Sequence, residues 1–424
     1  MSKYPEYTHP QSRAWFDRAL KVIPSGVYGH LGPSEGLFLP LEKWPLISSH
    51  AKGPYFWDMD GNRYLDLMCA YGPNVLGYGD PDVDRAAMEQ LMISNCTTAP
   101  SYKMVECAEL LVDTVASADW AFFMKNGTDA TTLANLTARA ATGRKKTIFL
   151  KGYYHGNQPW AMKADYPGIL PEEVANNIIV PWFDIPALEQ AYDAVNGDVA
   201  ALIAQPYDHG NFYDNRCASK EYWAKVRQFC TKRGIILIMD DVRTGFRLDL
   251  AGSDHYYGIQ ADIICFCKAL ANGYNISAAC GKEFLRPAAS SLSYTGSYWM
   301  SAEPIAACIA CLKKMKELNV PKLFRKTGTE LTAGLKAAGA AHGFDLVVSG
   351  EPALFYLRIA NDDSLMLHQE WVAECVSRGL FITSHHNHFI NAAITGEEIA
   401  LAVDIADDAF SVVAARHPDL DLKP

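Results

Sequence analysis

Two apolar runs in the second half of the chain each end in a charged residue. Ile235–Met239 leads into Asp240-Asp241, and Ile263–Cys267 leads into Lys268, followed by the small residues Ala269, Ala271 and Gly273. Short apolar runs bounded by turn signals read as buried strands. Taken singly, each ending has an ordinary reading: a solvated carboxylate at a strand end, and a surface lysine. Taken together, on neighbouring strand ends, they place an acid and an amine in one cleft. A lysine in low-dielectric surroundings gives up its proton near neutrality and attacks carbonyl carbon. A carboxylate nearby can keep a heterocyclic nitrogen protonated.

Pyridoxal phosphate (PLP) chemistry asks for that pair. The lysine forms the Schiff base, and the aspartate holds the pyridine nitrogen protonated so that the ring can accept electrons. The cofactor's phosphate needs donors. Phe122–Ala130 runs from a short strand through Lys125-Asn126-Gly127-Thr128 into a helix. Gly127 lets the backbone come close, and Asn126 and Thr128 can cap the helix or face an anion. The competing reading is a plain capped helix start. Gly152-Tyr153-Tyr154-His155-Gly156 follows the apolar run Thr147–Leu150, and an aromatic ring there can stack on a flat cofactor or pack within its loop.

The elements that must position these residues are legible from periodicity. Helical stretches at 82–95, 102–116, 128–141, 186–195 and 219–233 alternate with apolar runs Trp120–Phe123, Thr147–Leu150, Ile178–Val180, Ala200–Ala204, Ile235–Met239 and Ile263–Cys267. Such alternation predicts an α/β fold with a mostly parallel central sheet, and ligands collect at the carboxyl ends of its strands. Upstream, 13–23 reads as a helix, 24–54 as a Pro- and Gly-rich arm, and Tyr55–Asp58 with Arg63–Met68 as a hairpin around Asp60-Gly61-Asn62. Downstream, helices at 302–318, 321–340, 366–378 and 396–415, with strands Phe355–Ile359 and Phe381–Thr383, predict a smaller α+β domain. The expected division is 1–60 (arm and hairpin, joining the small domain), 61–310 (large cofactor-binding domain) and 311–424 (small domain).

Composition narrows the function classes. A formal net charge of −10 repels phosphate backbones, so nucleic acid is not expected as a partner. Eleven cysteines without a regular framework point to reduced thiols, and no Cys/His spacing predicts a metal site. The polar, aromatic start lacks the order of a signal peptide, and no apolar run reaches membrane-spanning length. These features predict a cytoplasmic protein without membrane contact.

In their order and intervals the segments resemble the class III (subgroup II) PLP-dependent aminotransferases of fold type I, in the branch that contains glutamate-1-semialdehyde aminomutase. The segments are YFWDMDGNRYLDL, YGPNVLGYGDPDV, KNGTDA, YYHGN, IILIMDDVRTGFR and ADIICFCKALANGYNISAACG, and the resemblance runs from about residue 13 to the C-terminus. It implies roles position by position. Lys268 becomes the Schiff-base lysine and proton shuttle, and Asp240 the partner of the pyridine nitrogen. Val242 and Tyr154 take the two ring faces, with His155 beside them. Asn126, Gly127 and Thr128 bind phosphate. It also implies a homodimer in which Thr295 or Ser297 reaches the neighbouring subunit's phosphate.

Departures from the family pattern bear on substrate. Gln205 stands where a glutamate is usual, and Arg243 follows Asp240-Asp241-Val242 where Gln, Met or Ile is usual. Arg243 either neutralises Asp241 or binds a substrate acid group. The arm Pro24–Gly32 has no arginine, unlike the aminomutase, which argues against glutamate-1-semialdehyde as substrate. Tyr28, His30, Tyr71 and Trp160 predict a more aromatic pocket. The expected activity is amino transfer between a small amino acid or amine and a keto or aldehyde acceptor. An aminomutase, racemase, epimerase or decarboxylase on the same fold is the alternative, and a non-catalytic binding protein is the alternative of another class.

Overall fold

The computed structural model describes residues 3–26 and 40–418. Its first strands are β1 (Ser48–Lys52), β2 (Tyr55–Asp58) and β3 (Arg63–Asp66), joined as antiparallel neighbours. The β2–β3 turn is set by Asp58, whose carboxylate oxygen accepts from the amides of Asp60 and Asn62 at 2.9 Å each. Gly61 between them has φ +83°, a left-handed conformation that glycine adopts without a Cβ penalty.

The next seven strands form one sheet: β4 (Trp120–Met124), β5 (Lys146–Leu150), β6 (Asn177–Val180), β7 (Val199–Ala204), β8 (Ile236–Asp240), β9 (Ile263–Phe266) and β10 (Ser277–Gly281). Their order is β4-β10-β9-β8-β7-β5-β6, parallel except that β10 runs antiparallel to both neighbours. Strands β7, β8 and β9 are buried along their whole length. Being covered on both faces, they carry continuous apolar sequence instead of an alternating pattern. Helix Lys220–Arg233 precedes β8. It is capped by Ser219, which accepts from the Tyr222 amide, and stopped by Gly234 at φ +61°. That pair of local signals fixes where β8 starts and therefore where Asp240 emerges.

The chain continues through β11 (Leu346–Glu351), β12 (Leu354–Ile359) and β13 (Leu380–Phe381). β13 pairs in parallel with β3, which completes a four-stranded sheet, and β11 and β12 form a separate hairpin. Residues Met1–Asp80, Gly210–Asn215 and Lys322–Pro424 cluster as one unit; Pro81–His209 and Arg216–Pro321 cluster as the other and hold the seven-stranded sheet. In the first unit, helices Met366–Val376 and Gly396–Arg416 pack through Trp371 and Phe410, stacked at 4.6 Å.

The α/β architecture expected from the apolar runs is present, and each expected strand of the large sheet falls within two residues of an observed one. Three strands were not expected. β1 (SSHAK) is polar and exposed, β10 (SAACG) is made of small residues, and β11 has no apolar alternation beyond its first residues.

Candidate active site

Strands β4, β5, β7, β8 and β9 run in one direction, so their carboxyl ends lie along one edge of the sheet. A cleft of about 530 Å³ opens there. Asn126, Gly127 and Thr128 line it from the β4 end, Tyr154 and His155 from the β5 end, and Gln205 from the β7 end. Asp240, Val242 and Arg243 enter from β8, and Lys268 from β9. Ten of the residues singled out from sequence are thus brought together within one unit.

Asp240 is buried, and both of its oxygens are engaged. The His155 ring Nδ1 lies 2.6 Å from Oδ2, and the Val242 amide donates to Oδ1 at 3.1 Å. The Thr131 hydroxyl donates to the His155 carbonyl at 2.7 Å, tying that loop to the helix that starts at Gly127. Buried hydrogen-bonded contacts of this kind fix a carboxylate's direction. Lys268 follows β9 with φ +34°, a left-handed conformation that a non-glycine residue rarely adopts and that recurs at functional sites. Burial, followed by the Arg243 charge, pushes its amine down to about 7. A neutral, nucleophilic amine is therefore available near neutral pH.

The β4 end supplies an anion cradle. Helix Gly127–Thr142 begins there, and the Asp129 carboxylate accepts from the Asn126 amide at 2.8 Å. The first amides of an α-helix lack partners within the helix and face outward with a positive dipole. A Cβ on Gly127 would come within 2.8 Å of Val242 Cγ1, and one on Gly156 within 2.6 Å of Thr128 Oγ1. Both glycines are therefore spatial requirements of the cradle. Asn157 completes it: its amide donates to Thr128 Oγ1 at 3.2 Å, and its Oδ1 accepts from that hydroxyl at 3.0 Å.

Arg243 is buried, with Asp240, Tyr154 and Tyr207 as its electrostatic neighbours. Asp241, the second acid of the pair, has hydroxyl partners of its own. That carboxylate is fully buried, accepts from the Thr244 and Ser253 hydroxyls at 2.5 Å each, and is pushed up to about 6 by burial. Through Thr244 and Ser253 it anchors the turn that follows β8. Trp160 packs on Phe149 and donates to the Thr132 hydroxyl at 3.1 Å, away from the cleft lining. Thr295 and Ser297 are exposed and do not line the cleft of their own chain. In the other unit, Tyr71 stands edge-on to His386 at 5.4 Å. Tyr28 and His30 lie outside the described residues.

Among the residues at or behind the cleft that were not singled out from sequence are Asn157, Cys267 and His209. Asn157 directly follows the Tyr-His-Gly turn, and that position was the available signal. Cys267 precedes Lys268 and lines the cleft, but its sequence reads as ordinary strand. His209 follows β7 in an irregular stretch with no motif.

The class-III aminotransferase family profile matches residues 41–410. The chain belongs to the class-III aminotransferases. Among curated relatives, the aminopentol aminotransferase of Sphingopyxis macrogoltabida is 38% identical over 408 residues, 96% of each chain. The glutamate-1-semialdehyde 2,1-aminomutase of Albidiferax ferrireducens is 30% identical over 436 residues, covering 94% of this chain and 97% of that protein. Among solved structures, the FumI protein of Sphingopyxis sp. MTA144, in its PLP internal aldimine form, superposes with a TM-score of 0.93. That pair is 38% identical, covering 97% of this chain and 98% of the other. This class-III aminotransferase thus has the fold-type I architecture, uses PLP, and transfers an amino group from a donor to a keto acceptor. Its cleft fits the cofactor: a depressed lysine amine, a directed buried carboxylate, and a helix-start cradle that a Cβ would fill.

Proposed function

We propose that the residues of this cleft divide the work of amino transfer as follows. Lys268 anchors PLP through its amine and carries the proton between the donor's α-carbon and the cofactor. Asp240, directed by His155, holds the pyridine nitrogen in its protonated form. Gly127 and Thr128 bind the phosphate, with Asn126 and Asn157 shaping the cradle. Tyr154 and Val242 enclose the ring. When bound, PLP supplies the electron sink that stabilises negative charge at the donor carbon. The observation that carries this reading is the convergence, in one cleft, of an amine held near 7 and an acid fixed at 2.6 Å by a buried imidazole.

The proposed donor is a hydroxylated amine. The support is the aminopentol aminotransferase, whose name denotes an amino alcohol and which matches 96% of this chain, together with Gln205 and Arg243 in the cleft. The acceptor is a keto acid or aldehyde. Half-reaction spectroscopy tests the reading. The visible absorption of bound PLP falls with amino donor alone and returns with keto acid. Absorption that persists with every donor, while the donor is racemised or rearranged, would overturn amino transfer in favour of the other chemistries of the fold.

The working form is proposed to be a homodimer. Helices Pro81–Ile93 and Tyr102–Thr114 expose Met88, Leu91, Met92, Ile93, Tyr102 and Val105, with Met92 88% and Ile93 69% exposed. Exposed apolar side chains in this number mark an interface, and a second copy of this chain is the proposed occupant. Thr295 and Ser297, exposed on their own subunit, are the residues proposed to reach the partner's phosphate. Sedimentation at submicromolar concentration tests this; a fully active monomer would overturn it. Among the described residues no helix is long and apolar enough to cross a membrane. A cytoplasmic setting is proposed on the cysteine content.

A further inference from the structure

The segment that leaves β7 carries a histidine in an unusual state. After Gln205 the chain is held on both sides. The Trp223 indole donates to the Pro206 carbonyl at 2.8 Å, and Asp208 and Arg216 exchange two backbone hydrogen bonds at 3.2 and 3.0 Å. The Arg216 guanidinium also donates to Asp208 Oδ2, at 2.6 Å from Nη2. Within that clamp the His209 ring packs on Tyr207, centroid to centroid 4.1 Å, and is only 3% exposed. Neither ring nitrogen has a hydrogen-bond partner among the described residues. Buried polar atoms are almost always satisfied, and an orphaned donor and acceptor together call for a missing partner.

The surroundings say what kind of partner. The charged groups that face His209 are Arg243 and Lys268, both of which line the cleft, and Asp240 in turn faces Arg243. Burial and these two cations hold the ring far below its ordinary value, so it is neutral at working pH. A neutral imidazole offers one donor and one acceptor, whereas the guanidinium beside it offers donors only. A carboxylate would be served by Arg243 but would leave the ring's acceptor nitrogen empty. An alcohol serves both residues: its oxygen accepts from the guanidinium while its proton is donated to the ring's bare nitrogen.

We propose that His209 is a specificity-determining residue whose unpartnered acceptor nitrogen, beside Arg243, takes up the hydroxyl of an amino-alcohol donor. This rests on the reading of the cleft as the amino-transfer site. The test compares two primary amines of equal length, one with and one without a hydroxyl on the carbon adjacent to the amine-bearing carbon, using the PLP-loaded enzyme. The wild-type protein should prefer the hydroxylated donor in kcat/KM by roughly tenfold, the scale of one buried hydrogen bond to a charged cluster. His209→Leu should erase that preference through KM, with kcat for the plain amine and the visible PLP band unchanged; His209→Gln, which keeps a donor and an acceptor, should restore part of it. An equal loss on both donors, or an intact preference, would overturn the proposal. If His209→Leu does not fold, ¹⁵N-histidine spectra of the wild-type enzyme decide: the His209 ring signals must move when the donor's deaminated alcohol is added, and unmoved signals would overturn it. Wild-type enzyme whose visible band responds to neither amine would instead refute the amino-transfer reading itself.

Discussion

The two edges of the seven-stranded sheet are built from similar residues and used in opposite ways. At the amino edge, Arg227 pairs with Asp262 at 2.9 Å and Lys282 with Asp119 at 3.2 Å. Arg144 there donates to the carbonyls of Val199, Arg233 and Gly234 at 2.9–3.1 Å. Each cation has a local partner and a route to water. At the carboxyl edge, Lys268 is buried beside a second cation, Arg243, and Asp240 is already committed to His155. Charge at one edge ties neighbouring segments together. Charge at the other is kept away from its preferred state and so remains available for chemistry. Apolar strands deliver the charges in both cases, and what differs is whether a compensating group is folded in alongside.

Substitutions at the two edges should therefore differ widely in effect. Lys268→Ala should abolish turnover while PLP is still held by cradle and ring contacts, and borohydride should label Lys268 alone in the wild-type protein; labelling of another lysine breaks the assignment. Asp240→Asn should fold and lose a charge-assisted bond worth about 1.5–3 kcal/mol, or roughly 10- to 150-fold in rate. Turnover close to wild type would remove Asp240 from its role. Gly127→Ala puts a methyl 2.8 Å from Val242 Cγ1. Overpacking of about 1–3 kcal/mol should appear as weaker PLP retention, read by dialysis, with the fold's circular dichroism unchanged.

The depressed Lys268 amine adds a pH test. Its value of about 7 lies below the ordinary 10.5, so between those pH values the unfolded chain binds more protons than the folded one. Stability of the cofactor-free protein should therefore rise with pH across that window, with the full cost of the buried charge present below 7. Lys268→Met should flatten the slope in thermal melts, and an unchanged slope would place the burial cost elsewhere. The smallest effect is expected at the amino edge. Lys282→Met removes an exposed ion pair and should cost less than about 1 kcal/mol, leaving kcat/KM as it was.

The contrast between edges also explains how much could be read from sequence. β8 and β9 were legible because strands buried on both faces need unbroken apolar residues, and the charges that end them stand out against that background. β10 was not, because its residues are small for reasons visible only in three dimensions: a Cβ on Gly281 would lie 2.3 Å from the Trp120 ring. β1 escaped because an exposed edge strand has no apolar face to betray it. Asp240, Lys268 and the Gly127 cradle were found because each breaks or bounds a periodic element. The neighbours of Arg243, among them Asp240, Tyr154 and Tyr207, were hidden, since Val242 and Arg243 leave the strand and their directions follow from the turn and not from alternation. His209 gave no signal at all, because an isolated histidine in an irregular segment looks the same whether it is packed, solvated or waiting for a ligand.

The clamp around Pro206–His209 has an evolutionary consequence. Its fastenings are an indole on a carbonyl, two backbone bonds and an ion pair at Asp208, none of them made by the His209 side chain. The support of this strand end therefore does not depend on the side chain at 209, and neither do the hydrogen bonds of the acid proposed to do the chemistry. Enzymes descended from a common ancestor can therefore acquire new donors by drift at one buried site, and a laboratory library confined to position 209 should retain folded, PLP-loaded protein among members whose side chain is neutral and no larger than histidine.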